Sequence, residues 1–128
     1  MEVPIEIGGG KRHPFDLATS ERDIVAKCKA FKFIAGGSTP SANITALREA
    51  AMYLRSIRGS VTRVLIAKRD PHPISGETLG CYFVRLNSHH LEQVTVLEMP
   101  ESGGELECIH GDFDPAQFGA QQNIASGV

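Results

Sequence analysis

Tryptophan is absent from this sequence, and two tyrosines and six phenylalanines are all the aromatic side chains it has. So few rings exclude extensive base stacking on helices, although Tyr82 and Phe83 can supply one platform. No stretch approaches the roughly 20 consecutive apolar residues that a membrane-crossing helix needs, so no membrane partner is expected. The first residues, MEVPIEIGGGKRH, put acids ahead of bases and hold no apolar run, unlike a secretory leader, and the expected location is cytoplasmic. Cys28, Cys81 and Cys108 are odd in number and form no Cys-x-x-Cys pair. That pattern suits reduced, buried thiols better than a disulfide framework. No internal repeat points to a solenoid.

The sharpest deficit is of one sign of charge. From Leu86 onward there is no Lys or Arg, while seven acids fall there (Glu92, Glu98, Glu101, Glu105, Glu107, Asp112 and Asp114). All thirteen bases lie between Lys11 and Arg85 against six acids, a net of +7 in that segment within a chain whose total is −2. Such a division suits a polyanion partner, unless strands fold the two halves together and neutralise them.

What the sequence does contain is one well-marked helix, Thr39 to Gly59. Ser38 or Thr39 caps its start and Pro40 suits the first helical position. Ile44, Leu47, Ala50, Ala51, Leu54 and Ile57 recur at three- and four-residue spacing and make one apolar face. Gly59 stops it, and Arg55 and Arg58 suit the carbonyl end of its dipole. A second helix is predicted from Ser20 to about Ile34, with Asp23 as a capping partner, Ile24, Val25, Cys28 and Phe31 inward, and Lys27, Lys29 and Lys32 outward. Ala35-Gly36-Gly37 then closes an αα-hairpin.

Beyond Gly59 the period is two. Val61 to Arg69 and Thr78 to Leu86 read as a hairpin around the turn-rich Asp70 to Glu77, followed by strands over Leu91 to Met99 and Glu105 to Phe113. Val3 to Ile7 reads as an edge strand. The fold expected is therefore α+β, an αα-hairpin packed on a four-stranded antiparallel β-meander with an N-terminal edge strand. One domain spans 1–128, divided into a strand and Gly-rich loop (1–19), helical hairpin (20–59), meander (60–113) and tail (114–128).

No catalytic set can be named from spacing. Gly8-Gly9-Gly10-Lys11 lacks the P-loop spacing and its Ser or Thr. Cys108, His110 and Asp112 alternate on a predicted strand, and alternation does not make a tetrahedral cage, so neither a metal nor a cofactor is expected. The function read from charge is a small non-enzymatic module contacting nucleic-acid backbone, RNA or DNA, through Lys27, Lys29, Lys32, Arg48, Arg55 and Arg58. The rival is a protein-interaction or inhibitor module, or self-association, through the acidic C-terminal third. The order strand, two helices, three antiparallel strands also resembles the opening of the GCN5-related acyltransferase fold. That resemblance implies a coenzyme A pyrophosphate loop where Glu98-Met99-Pro100-Glu101-Ser102-Gly103-Gly104 stands, with two carboxylates and no arginine.

Overall fold

The computed structural model describes residues 3–19, 21, 23–31, 41–100 and 104–114. Along the chain come β1 (Val3–Gly8), β2 (Lys11–Phe15), β3 (Leu17–Ala18), β4 (Ile24–Lys29), α1 (Ser41–Arg55), β5 (Thr62–Lys68), α2 (Leu79–Asn87), a 3-10 turn (Ser88–His90), β6 (Val94–Met99) and β7 (Glu107–His110). The fold is α+β, with two helices and seven strands in two sheets among the described residues. Strands β1 and β2 form an antiparallel hairpin of their own. The second sheet has the order β3-β4-β5-β6-β7, with β4, β5 and β6 parallel and an antiparallel strand at each edge. Among the described residues no helix is long and apolar enough to cross a membrane.

Helix α1 forms where the apolar period predicts it, burying Ile44, Leu47, Ala50, Ala51 and Leu54. Its proposed caps at residues 38–40 lie outside the described residues. At the other end Gly59 takes φ +95°, a conformation glycine adopts without strain, and turns the chain toward β5. The last carbonyls are satisfied by a side chain from that strand. Arg63, only 8% exposed, donates from Nε to Leu54 O (2.9 Å), from Nη1 to Val61 O (2.9 Å), and from Nη2 to Ile57 O (2.6 Å) and Gly59 O (3.3 Å).

Two predicted elements change type. The segment read as a second helix holds β4, so the αα-hairpin does not form. Ile24, Val25 and Ala26 are all buried in succession, as in a strand covered on both faces, and so short a run also satisfies a helical count. The turn chemistry near Asp23 is real but serves a different turn. Thr19 Oγ1 accepts the N–H groups of Asp23 (3.1 Å) and Ile24 (3.2 Å) and donates to the Asp23 carboxylate, closing the β3–β4 connection. Ser20 and Lys32 lie outside the described residues.

Conversely, Thr78 to Leu86, read as a strand, holds α2, with the Thr78 hydroxyl accepting the Cys81 N–H at 3.1 Å as its N-cap. The parallel pairing of β5 with β6 requires a crossover between them, and α2 makes it. The sheet is therefore mixed rather than an antiparallel meander. β6 and β7 lie within the last two predicted strands and pair antiparallel, whereas β1 pairs with β2 instead of joining the larger sheet. The element order behind the acyltransferase resemblance is not the order observed.

Alternation along the parallel strands divides the core into two layers. Val25, Leu65 and Val96 pack with α1, α2 and the hairpin residues Val3 and Phe15, while Ile24, Ala26, Val64, Ile66 and Leu97 pack on the other face with Phe113. Lys27 and Lys29 follow Val25 at two-residue spacing, so both stand on the helix side of β4.

Candidate functional site

β2 carries Lys11, His13 and Phe15 on one face. Phe15 is fully buried in the layer that contains α1, and this sets the orientation of the other two. His13 stacks on Tyr53 of α1 with ring centroids 3.6 Å apart and an interplanar angle of 11°, and meets Phe15 edge-on at 5.1 Å. The hairpin is thereby docked to the helix.

Lys27 of β4 reaches the same place. Its Nζ lies 3.0 Å from His13 Nε2 and 3.3 Å from Pro14 O, and 5.6 Å from the centroid of the Phe15 ring. Lys29, one repeat further along β4, rests 6.0 Å from the Phe31 ring centroid. At the other end of the row stands Arg58, just beyond α1. Its Nε lies 3.6 Å from where a Cβ on Gly8 would stand, and Gly8 is the register partner of Lys11. Arg58, Lys11, His13, Lys27 and Lys29 thus run from the hairpin turn to the C-terminal end of β4. Among the described residues, Arg58, Lys11 and Lys29 form no salt bridge. Arg12 alternates to the opposite face, where its register partner is Glu6.

Beside this row Asp16 is committed to structure, its Oδ2 accepting the Cys28 N–H at 2.7 Å. Burial first, then the Asp16 charge, pushes the Cys28 thiol up to about 11, so it stays protonated and unreactive near neutral pH.

The six basic residues named from sequence do not form one surface. Lys27, Lys29 and Arg58 belong to the row, Lys32 lies outside the described residues, and Arg48 and Arg55 flank the other side of α1. There Arg48, Arg55, Met52 and Glu49 line a cavity of about 260 Å³ with His90, and Arg55 Nη1 donates to His90 O at 3.5 Å. His90 is held below the ordinary imidazole value by desolvation, then by His89, Arg48 and Arg55. Lys11, His13 and Tyr53 join the row although they are not among the six residues named from the sequence. The alternation Lys11, His13, Phe15 behind three glycines was their signal, legible only once 11–15 is known to be a strand.

The acidic third occupies the far side of the sheet. β4 and β6 are separated by β5, and β7 lies beyond β6. β5 of the basic segment nevertheless pairs with β6 along its length, and Arg69 meets Glu107 at 3.4 Å, whereas Arg85 takes Glu77 at 2.9 Å within the basic segment itself. Cys108, His110 and Asp112 do not converge. β7 ends at His110, Gly111 turns at φ +92°, and the Cys108 thiol donates to His110 O and Gly111 O. Among the described residues no group of three or more His, Cys, Asp or Glu side chains is placed to hold a metal ion. A separate cavity of about 450 Å³ is lined by Thr62, Arg63, Gln93, Thr95, His110 and Asp112 among others. The guanidinium of Arg63 is already engaged by backbone carbonyls, leaving that cavity little to offer an anion. Comparison with known proteins finds no matching family model, and no significantly similar curated protein or solved structure.

Proposed function

We propose that the chain is a binding module for nucleic-acid backbone and that the row Arg58, Lys11, His13, Lys27 and Lys29 is its contact surface. The observation that supports this reading is the placement of these groups on the β2–β4 side, with the exposed Glu107 of β7 at the far edge of the sheet across β5 and β6. A phosphodiester chain laid along the row meets ammonium and guanidinium groups in succession. Arg58 offers a fork of donors, whereas Lys27 and Lys29 act as compact charges. Among the described residues no edge-reading helix or exposed ring array accompanies them, so the contact is with phosphates and independent of sequence.

Binding of this kind releases counterions and weakens linearly in log salt, by about 0.7 per phosphate contact on a single strand and 0.9 on a duplex. Fluorescence anisotropy with labelled single- and double-stranded oligonucleotides at several salt concentrations tests it. Micromolar binding with a steep salt slope, lost on Lys27→Glu/Lys29→Glu, is the expected result, and no binding at low salt refutes the reading.

The rival reading as a protein-interaction module draws on β7, the last strand of its sheet, whose Glu107 side chain is 64% exposed although paired with Arg69. A basic partner docking there is disrupted by Glu105→Lys/Glu107→Lys and is indifferent to Lys27 and Lys29.

A further inference from the structure

We propose that the turn of the β1–β2 hairpin, Gly8–Gly10 with Arg58 and Lys11, is a subsite for a phosphoryl group. It rests on the reading of the adjoining row as a phosphate-binding surface and gives that row a defined end.

Gly9 and Gly10 take φ of +60° and +75°, the left-handed pair that a tight hairpin turn requires. Asn-Gly satisfies the same backbone and is among the commonest choices, so two glycines are more than the turn itself demands. Their difference from Asn-Gly is the missing side chain. Nothing lies within 4 Å of the Cβ position of either residue, so a ligand can approach the main chain from open solvent. Neither residue donates its N–H to a backbone carbonyl among the described residues. Two amide donors are thus free for an anion.

The charge is supplied from outside the turn. Arg58 Nε and Nη2 lie 3.6 and 3.8 Å from the Cβ position of Gly8, ordinary contact distance, so the guanidinium borders the turn, and φ of +114° there makes any side chain at Gly8 a backbone strain. Arg58 is exposed and forms no salt bridge among the described residues. Lys11 is the register partner of Gly8, one residue beyond the turn. Backbone N–H groups together with a guanidinium and an ammonium suit the tetrahedral oxygens of a phosphoryl group. The nearest carboxylate by register is Glu6, opposite Arg12 on the other face of the hairpin.

A phosphoryl group can come from the 5′ end of a strand or from within it, and the two sources are separable. The experiment uses the full chain, ¹⁵N-labelled, titrated with inorganic phosphate, together with anisotropy of one 12-nucleotide oligomer carrying either a 5′-phosphate or a 5′-hydroxyl. Phosphate is expected to shift the amides of Gly9, Gly10 and Lys11 in the parent and in Lys27→Gln. The shifts should be lost in Arg58→Gln and in Gly9→Asn/Gly10→Asn, which keeps the turn. A tenfold preference for the 5′-phosphorylated oligomer assigns the subsite to strand ends, and equal affinities assign it to internal phosphates. Oligomer binding without any response of the glycine amides overturns the subsite and leaves the row intact. A glycine response without oligomer binding overturns the row and leaves the subsite, and absence of both overturns both.

Discussion

Nζ of Lys27 lies 3.0 Å from Nε2 of His13, joining β4 to the hairpin at the point where the imidazole stacks on Tyr53. An ammonium has three donors and no acceptor, so in this pair Nε2 accepts and the ring proton sits on Nδ1. The histidine has two separable jobs, a ring that packs and a nitrogen that accepts. His13→Phe retains the first and His13→Ala neither. Urea unfolding is expected to show a loss of about 1 kcal/mol for Ala, the size of one aromatic pair, with much of it recovered in Phe. Equal losses for both variants would contradict a packing role for the ring.

Arg63 makes the end of α1 dependent on a strand residue. Removing its guanidinium takes a charged donor from the carbonyls of Leu54, Ile57, Val61 and Gly59, of which Leu54 O and Gly59 O keep the Ile57 and Val61 N–H groups. Arg63→Met should cost on the order of 3 kcal/mol, because hydrogen bonds to charged groups are the stronger class and buried acceptors are expensive to orphan. Arg63→Lys should recover less than half of that, since one ammonium cannot reproduce a planar fork. A loss under about 0.5 kcal/mol for Arg63→Met, the size of an ordinary surface change, would refute the capping role.

Gly80 in the first turn of α2 is sterically fixed by β6. A Cβ there would stand 2.6 Å from Glu98 Oε2 and 3.1 Å from Ile109 Cδ1, and Glu98 is 1% exposed with little room to retreat. Gly80→Ala is expected to destabilise by about 1–3 kcal/mol through overpacking, despite alanine's better helix propensity. In a Glu98→Ala background the same change should be nearly neutral or favourable. Additivity of the two substitutions would show that the residues do not share this space.

These residues show how far the sequence could be read. α1 was legible because its apolar period persists over fifteen residues, although it ends at Arg55, short of the Gly59 turn that the sequence marks as its stop. β4 was not, since three successive buried residues fit either period and its lysines mimic an exposed helix face. α2 was missed because Tyr82, Phe83 and Val84 have strong strand propensity, and only the parallel pairing of β5 with β6 demands a crossover there. The charge division was visible in the sequence. Which cations stand together was not, because it depends on the β1–β2 hairpin and on the side of α1 from which each residue projects.

Glu98 makes stability depend on pH. Burial pushes its carboxyl above the ordinary value of 4.5, opposed by the Thr78 hydroxyl, Arg69 and the Gly80 N–H, with Glu107 adding to the rise. Among the described residues its Oε2 has no hydrogen-bond partner. The folded state therefore holds this proton more tightly than the unfolded chain, so the stabilisation is fully present below about pH 4.5 and is lost as pH rises through the folded-state value. Compared with the parent, Glu98→Gln should lack this particular loss between pH 4.5 and neutrality. Parallel stability profiles for the two proteins would refute the raised carboxyl.

The most direct test of the central claim is the salt dependence of binding to a single-stranded oligonucleotide, measured side by side for the parent, Lys27→Gln/Lys29→Gln and Arg48→Gln/Arg55→Gln. Losing two phosphate contacts should lower the slope of log K against log salt by about 1.4 in the β4 double variant. The α1 double variant, whose arginines flank the opposite side of the helix beside His90, should keep the parent slope. An unchanged slope for Lys27→Gln/Lys29→Gln, or a loss confined to Arg48→Gln/Arg55→Gln, would contradict the account.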